Sequence, residues 1–120
     1  MSVITVDEIY ACLQEEESPI LEFKRDWYWH DSTPPTDIAR QWGELQKDII
    51  SLCNAYLNFS GHDRYLIIGY SESERKIYPI DISRIKKIRD LKAFRKELIA
   101  KLEKTVKHPP LNLEIETVLI

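Results

Sequence analysis

Residues 64–80 read RYLIIGYSESERKIYPI, and their reading decides the fold class. Arg64 to Tyr70 is a short run of strand formers, too apolar to face water on both sides, which predicts a central strand. Ser71 to Arg75 is polar turn material and Lys76 to Ile80 supplies a second strand, so the stretch predicts a β-hairpin. Upstream, Ile20 to Arg25 alternates as a half-buried strand does, with Leu21 and Phe23 on one face and Glu22 and Lys24 on the other. Downstream, Leu111, Leu113, Ile115, Thr117 and Leu119 alternate with Asn112, Glu114 and Glu116 and predict another half-buried strand.

Helical signals fill the intervals. Thr5-Val6-Asp7-Glu8 is a capping box, in which the Thr hydroxyl and the Glu carboxylate satisfy orphan amides reciprocally. Val6, Ile9 and Leu13 form the expected buried stripe of that helix, and Ser18-Pro19 stops it. The aromatic, patternless DWYWHDSTPP of residues 26–35 reads as a loop. A long helix is expected from Thr36 or Asp37, with Ile38, Trp42, Leu45, Ile49, Leu52 or Cys53, and Tyr56 recurring at steps of three and four. Asn58 to His62, with Gly61, closes it. Asp81 or Ser83 can cap a short helix, and Asp90 a longer one with Leu91, Phe94, Leu98 and Leu102 inward, before His108-Pro109-Pro110 breaks it. The order α-β-α-β-β-α-β predicts a single α+β domain, a mixed or antiparallel sheet with helices packed on it.

The bulk numbers fit that class. A chain of 120 residues supports one modest core, and 43% hydrophobic with 31% charged content is ordinary for a globular protein. No apolar run approaches the roughly 20 residues needed to span a bilayer, and the first ten residues lack the basic-then-apolar pattern of a signal peptide. A cytoplasmic protein with no membrane partner is therefore expected. Cys12 and Cys53 form no CxxC pair, and only His30, His62 and His108 accompany them, so buried reduced thiols are expected rather than a structural zinc site. The chain stops on Val118-Leu119-Ile120 in mid-pattern, which leads us to expect the front of a longer protein and, as one reading, homo-oligomer pairing through that terminal strand.

Charge is unevenly spread. Residues 1–83 carry 7 basic and 15 acidic side chains, whereas residues 84–107 carry 10 basic and 3 acidic ones. Indiscriminate polyanion binding by the whole surface is thereby disfavoured, while one segment can meet phosphates. That segment offers Arg84, Lys86, Lys87 and Arg89 ahead of the last helix, then Lys92, Arg95, Lys96, Lys101 and Lys104 on it. The plain alternative is an ordinary solvated helix face. Trp27, Tyr28 and Trp29 can stack on unpaired bases, although at least one is expected in the core. There is no GxxxxGK[ST] phosphate loop.

Three stretches occur in a telling order: ESPILEFK at 17–24, SLCNAYLN at 51–58 and YLIIGYSE at 65–72. Together they resemble the Schlafen AlbA-like domain, whose pattern is roughly E-S-x-x-x-E-F-K followed by S-A-F-A-N-T-x-G-G-x-L-L-I-G-V-x-D. The likeness covers about residues 5–85. It departs at Gly61-His62, where the family has Gly-Gly, and at Glu72 after Ser71, where the family has aspartate. The resemblance implies a nucleic-acid-binding α+β domain, with RNA or DNA as partner. Some Schlafen members are endoribonucleases with three acidic residues, which carry over here to Glu17, Glu22 and Glu72. Such a trio can hold Mg²⁺ or Mn²⁺ to polarise a phosphodiester and help deprotonate a water, and Lys24, on the face of Glu22, can steady the developing charge. The plain alternative for each carboxylate is a solvated surface charge: Glu17 ends an EEE run, Glu22 can pair with Lys24, and Glu72 sits in a turn.

Overall fold

The computed structural model describes residues 5–18, 20–53, 64–105 and 113–117. Within them the chain folds as a small α+β domain, in the order α1 (Val6–Leu13), β1 (Leu21–Lys24), α2 (Pro35–Cys53), β2 (Tyr65–Ile68), β3 (Tyr70–Ser71), β4 (Lys76–Ile77), a 3₁₀ turn (Ile82–Arg84) and α3 (Leu91–Thr105).

Local chemistry explains most boundaries. The Thr5 hydroxyl accepts the Glu8 amide at 3.1 Å, so the cap predicted for α1 forms. The helix ends sooner than Ser18-Pro19, at Leu13. Glu15, Glu16 and Glu17 follow it, and three carboxylates are unfavourable at the negative end of the helix dipole. Val6 is exposed rather than inward, and the buried contacts of α1 come from Ile9 and Cys12. Pro35 opens α2 at a position where its missing N–H costs nothing. Ile38, Trp42, Leu45, Ile49 and Leu52 form the α2 stripe as expected. Leu52 takes the inward position, which leaves Cys53 exposed, so only Cys12 meets the expectation of a buried thiol. The Asp90 carboxylate accepts the amides of Lys92 and Ala93 at 3.1 and 3.2 Å and caps α3, whose Phe94, Leu98 and Leu102 are buried.

The strands pair differently from the simple hairpin. β1 and β2 run parallel, with Leu21 opposite Tyr65 and Lys24 opposite Ile68, and the α2 segment is the crossover that parallel strands require. Only Tyr70–Ser71 and Lys76–Ile77 form the antiparallel pair. Gly69 is the break: at φ 103° it turns the chain between β2 and β3, which splits the apolar run that reads as one strand. Among the described residues β2 lies at the edge of a two-stranded sheet, half-buried throughout rather than central. Residues 113–117 form no strand, although Leu113 and Ile115 still turn inward and Glu114 and Glu116 outward. Tyr56, the helix-closing Asn58 to His62 and the terminal Val118-Leu119-Ile120 lie outside the described residues.

The β1–β2 sheet separates two cores. Leu21, Phe23, Tyr65 and Ile67 pack with Cys12, Leu13 and Tyr70, where Phe23 and Tyr70 meet edge to face at 5.1 Å. Leu66, on the opposite face, joins a larger cluster built from Trp29, the α2 stripe, Ile85, Ile88 and α3. By the alternation of strand side chains, Glu22 and Lys24 share that second face and look toward α2 instead of open solvent.

Candidate functional site

Three polar side chains meet where β1 faces α2, and the charge of Glu22 reaches them. Lys24 Nζ stands 3.6 Å from Asp48 Oδ2 and 4.7 Å from the centre of the Tyr28 ring. The Tyr28 hydroxyl donates to the same Asp48 oxygen at 2.5 Å. Burial pushes the Tyr28 phenol far above its ordinary value, and its bond to Asp48 adds to the effect. Burial likewise raises the Glu22 carboxyl; the Asp48 and Glu17 charges push it further up and Lys24 opposes them. The site is thus a lysine paired with Asp48, with the half-buried Glu22 carboxylate on the same strand face.

Glu72 arrives from the other direction. It opens the turn between β3 and β4, and its carboxylate accepts the backbone amide of Glu17 at 2.8 Å. Ser18 and Leu21 exchange backbone hydrogen bonds at 2.9 and 3.2 Å, which doubles the chain back between Glu17 and β1. Glu17 is therefore the common neighbour: Glu72 is bonded to its amide, and Glu22 feels its charge. A groove of about 350 Å³ beside them is lined by Leu13, Glu15, Glu16, Glu17, Tyr70, Glu72 and Arg75 among others. As placed, Glu17, Glu22 and Glu72 do not form a metal cage; among the described residues no three His, Cys, Asp or Glu side chains are grouped closely enough to hold one ion. Asp48 is the member that sequence reasoning missed. Its signal was its position, three residues after Leu45 and four before Leu52, at the margin of the buried stripe.

The raised Glu22 carboxyl has a consequence for stability. A carboxyl whose folded value exceeds its unfolded one binds more protons in the native state, so stability falls as pH rises from the unfolded value through the folded one. Glu22→Gln is expected to raise stability at neutral pH by less than about 1 kcal/mol, since water still reaches the group. It should also flatten the decline on the alkaline side of pH ~4.5, as thermal melts across pH would read. A variant less stable than the parent at pH 7 would show that the carboxylate is held by favourable partners.

The basic segment divides into tied and untied cations. Arg84 pairs with Asp81 at 3.6 Å and Arg89 with Asp31 at 2.6 Å. Arg95 Nε donates to the Leu113 carbonyl at 2.6 Å, and Lys101 Nζ stands 5.0 Å from the centre of the Trp42 ring. Lys86, Lys87, Lys92, Lys96 and Lys104 are exposed, and no ion pair engages them among the described residues. The aromatic loop is divided: Trp29 is buried, and Trp27 and Tyr28 pack half-buried against the same core. His30, beside them, is exposed. No family model, no curated protein and no solved structure matches this chain. No helix among the described residues is long and apolar enough to cross a membrane.

Proposed function

We propose that this chain is a nucleic-acid-binding domain of the Schlafen AlbA-like kind that holds phosphates through the segment 84–104. The observation that carries this reading is that Lys86, Lys87, Lys92 and Lys96, on one turn and the first half of α3, are exposed and engaged by no ion pair among the described residues. Ammonium groups not already neutralised by the protein can replace condensed counterions on a polyanion, and this release drives binding. The acidic remainder of the chain confines that contact to one face. Arg84, Arg89 and Arg95 contribute less than their charge suggests, because each is already engaged.

Four phosphate contacts imply a slope of roughly −3.6 in log K against log salt on a double helix, or about a hundredfold weakening between 50 and 200 mM. Anisotropy titrations with labelled RNA and DNA read this directly. Lys92→Glu with Lys96→Glu is expected to weaken binding at least about tenfold at constant salt. Absence of any salt-dependent binding to either nucleic acid ends this reading.

A metal-dependent endoribonuclease is the second reading, favoured by the half-buried Glu22 carboxyl, raised by burial, on the strand face of the Lys24–Asp48 pair. The three carboxylates as placed supply no metal cage, so no metal-borne step is assigned to them. Cleavage that needs Mg²⁺ or Mn²⁺ and disappears in Glu22→Gln would support it; cleavage retained in that variant sinks the assignment.

A further inference from the structure

The loop at 27–31 and the basic turn are built as one unit. The Trp29 indole N–H donates to the Lys86 carbonyl at 2.8 Å, and Asp31 Oδ2 takes the Arg89 guanidinium at 2.6 Å. The loop therefore grips the turn at both ends. Ile85 and Ile88 hold its underside in the core, 8% and 3% exposed. The grip has work to do, because Lys87 sits at φ 75°, a left-handed conformation that lysine rarely adopts. The other oxygen of Asp31 is buried with no hydrogen-bond partner among the described residues, where Arg89 is the group that offsets its charge.

This arrangement decides what kind of contact the lysine face can make. The aromatic residue within 84–104 is Phe94, 2% exposed in the core, and Trp29 is 1% exposed. Within 84–104 the segment thus offers ammonium groups and no exposed ring, while Trp27 and Tyr28 of the loop are half-buried. Lys92 and Lys96 follow each other along α3 at a rise of about 6 Å. Proteins that hold single strands draw on ring stacking worth roughly 1–3 kcal/mol per base. Without it the interaction is Coulombic and grows with the charge density of the ligand. A double helix presents one charge per ~1.7 Å of axis, against ~3.4 Å for each strand.

We infer that the lysine face grips the phosphate backbone of a double helix irrespective of sequence, with the tryptophan loop as its buttress. Asp31 restrains the grip by neutralising Arg89. This rests on the nucleic-acid-binding reading above and adds the ligand's form and an internal brake. Asp31→Asn keeps a side-chain oxygen to accept the Arg89 N–H but removes the charge that neutralises it, so it strengthens binding.

The test compares a short mixed-sequence duplex with each of its strands alone, using the parent chain, Asp31→Asn and Lys86→Glu with Lys87→Glu. Duplex binding by the parent should exceed single-strand binding severalfold and vary little between sequences. Asp31→Asn should bind severalfold tighter at low salt, with a salt slope steeper by about 0.9, and the double lysine variant should lose about tenfold. A melt of each variant confirms that it is folded; should Asp31→Asn not fold, Arg89→Gln takes its place and is expected to leave the slope nearly unchanged. A single strand preferred tenfold with quenched tryptophan emission would overturn the inference while sparing the broader reading. An Asp31→Asn variant with unaltered affinity and slope would overturn the brake. No binding to duplex or strand would remove both.

Discussion

Trp29→Ala is expected to cost about 3–5 kcal/mol of stability and to lower Tm by on the order of 10–20 °C. The side chain is 1% exposed and packs against three other aromatic side chains, edge to face with Trp27 at 5.2 Å and tilted against Trp42 at 5.2 Å and Phe94 at 6.4 Å. Its removal opens a cavity at the meeting point of the loop, α2 and α3, where the rigid rings around it can collapse only in part. The Lys86 carbonyl also loses its indole donor. Trp29→Phe separates the two effects: it keeps most of the ring contact and leaves that carbonyl to find water, at about 1–3 kcal/mol. Urea titration with unchanged slope would read both. A Trp29→Ala variant within about 1 kcal/mol of the parent would mean that the loop is not a structural part of the core.

This result bears on what a sequence shows of such a domain. DWYWHDSTPP carries no periodicity, because an irregular loop can bury a ring from any backbone conformation. Its composition predicts a loop with at least one aromatic in the core; Trp29 is that residue and Trp27 and Tyr28 stay half-buried, a division that local pattern does not encode. The helices were more legible, since their signals are local. The Thr5 cap, the Asp90 cap and the stripes of α2 and α3 all lie within a few residues of what they control. Val6 shows the limit: it stands on the right spacing, and no element among the described residues buries it.

Strand direction was the least legible feature. Whether Tyr65–Ile68 runs with or against Leu21–Lys24 is decided by the α2 crossover and by which faces meet, not by either strand's composition. The candidate site followed the same division. Glu22 and Lys24 could be placed on one face from alternation alone. Asp48 could not be joined to them without knowing that α2 lies over that face. The link from Glu72 to the Glu17 amide spans 55 residues and depends on the bend at Gly69.

Gly69→Ala tests that bend and is expected to cost about 2–4 kcal/mol, from left-handed strain and overpacking together. A β-carbon placed there would stand 2.9 Å from the Tyr78 carbonyl oxygen and 3.3 Å from Ile80 Cγ1, at φ 103°. The nearer neighbour is backbone and cannot swing aside. The Gly69 amide donates to the Lys24 carbonyl and its carbonyl accepts the Tyr78 amide, both at 2.7 Å, so the residue joins the parallel pair to the β3–β4 turn. Pushing that backbone apart shifts the whole turn, and with it the Glu72 carboxylate on the Glu17 amide. Hydrogen exchange would locate the damage: the Tyr78 and Glu17 amides lose protection while the Leu98 and Leu102 amides of α3 keep theirs. Uniform loss of protection would instead show that the two cores unfold together, and that Gly69 supports the lysine face as well as the acidic groove.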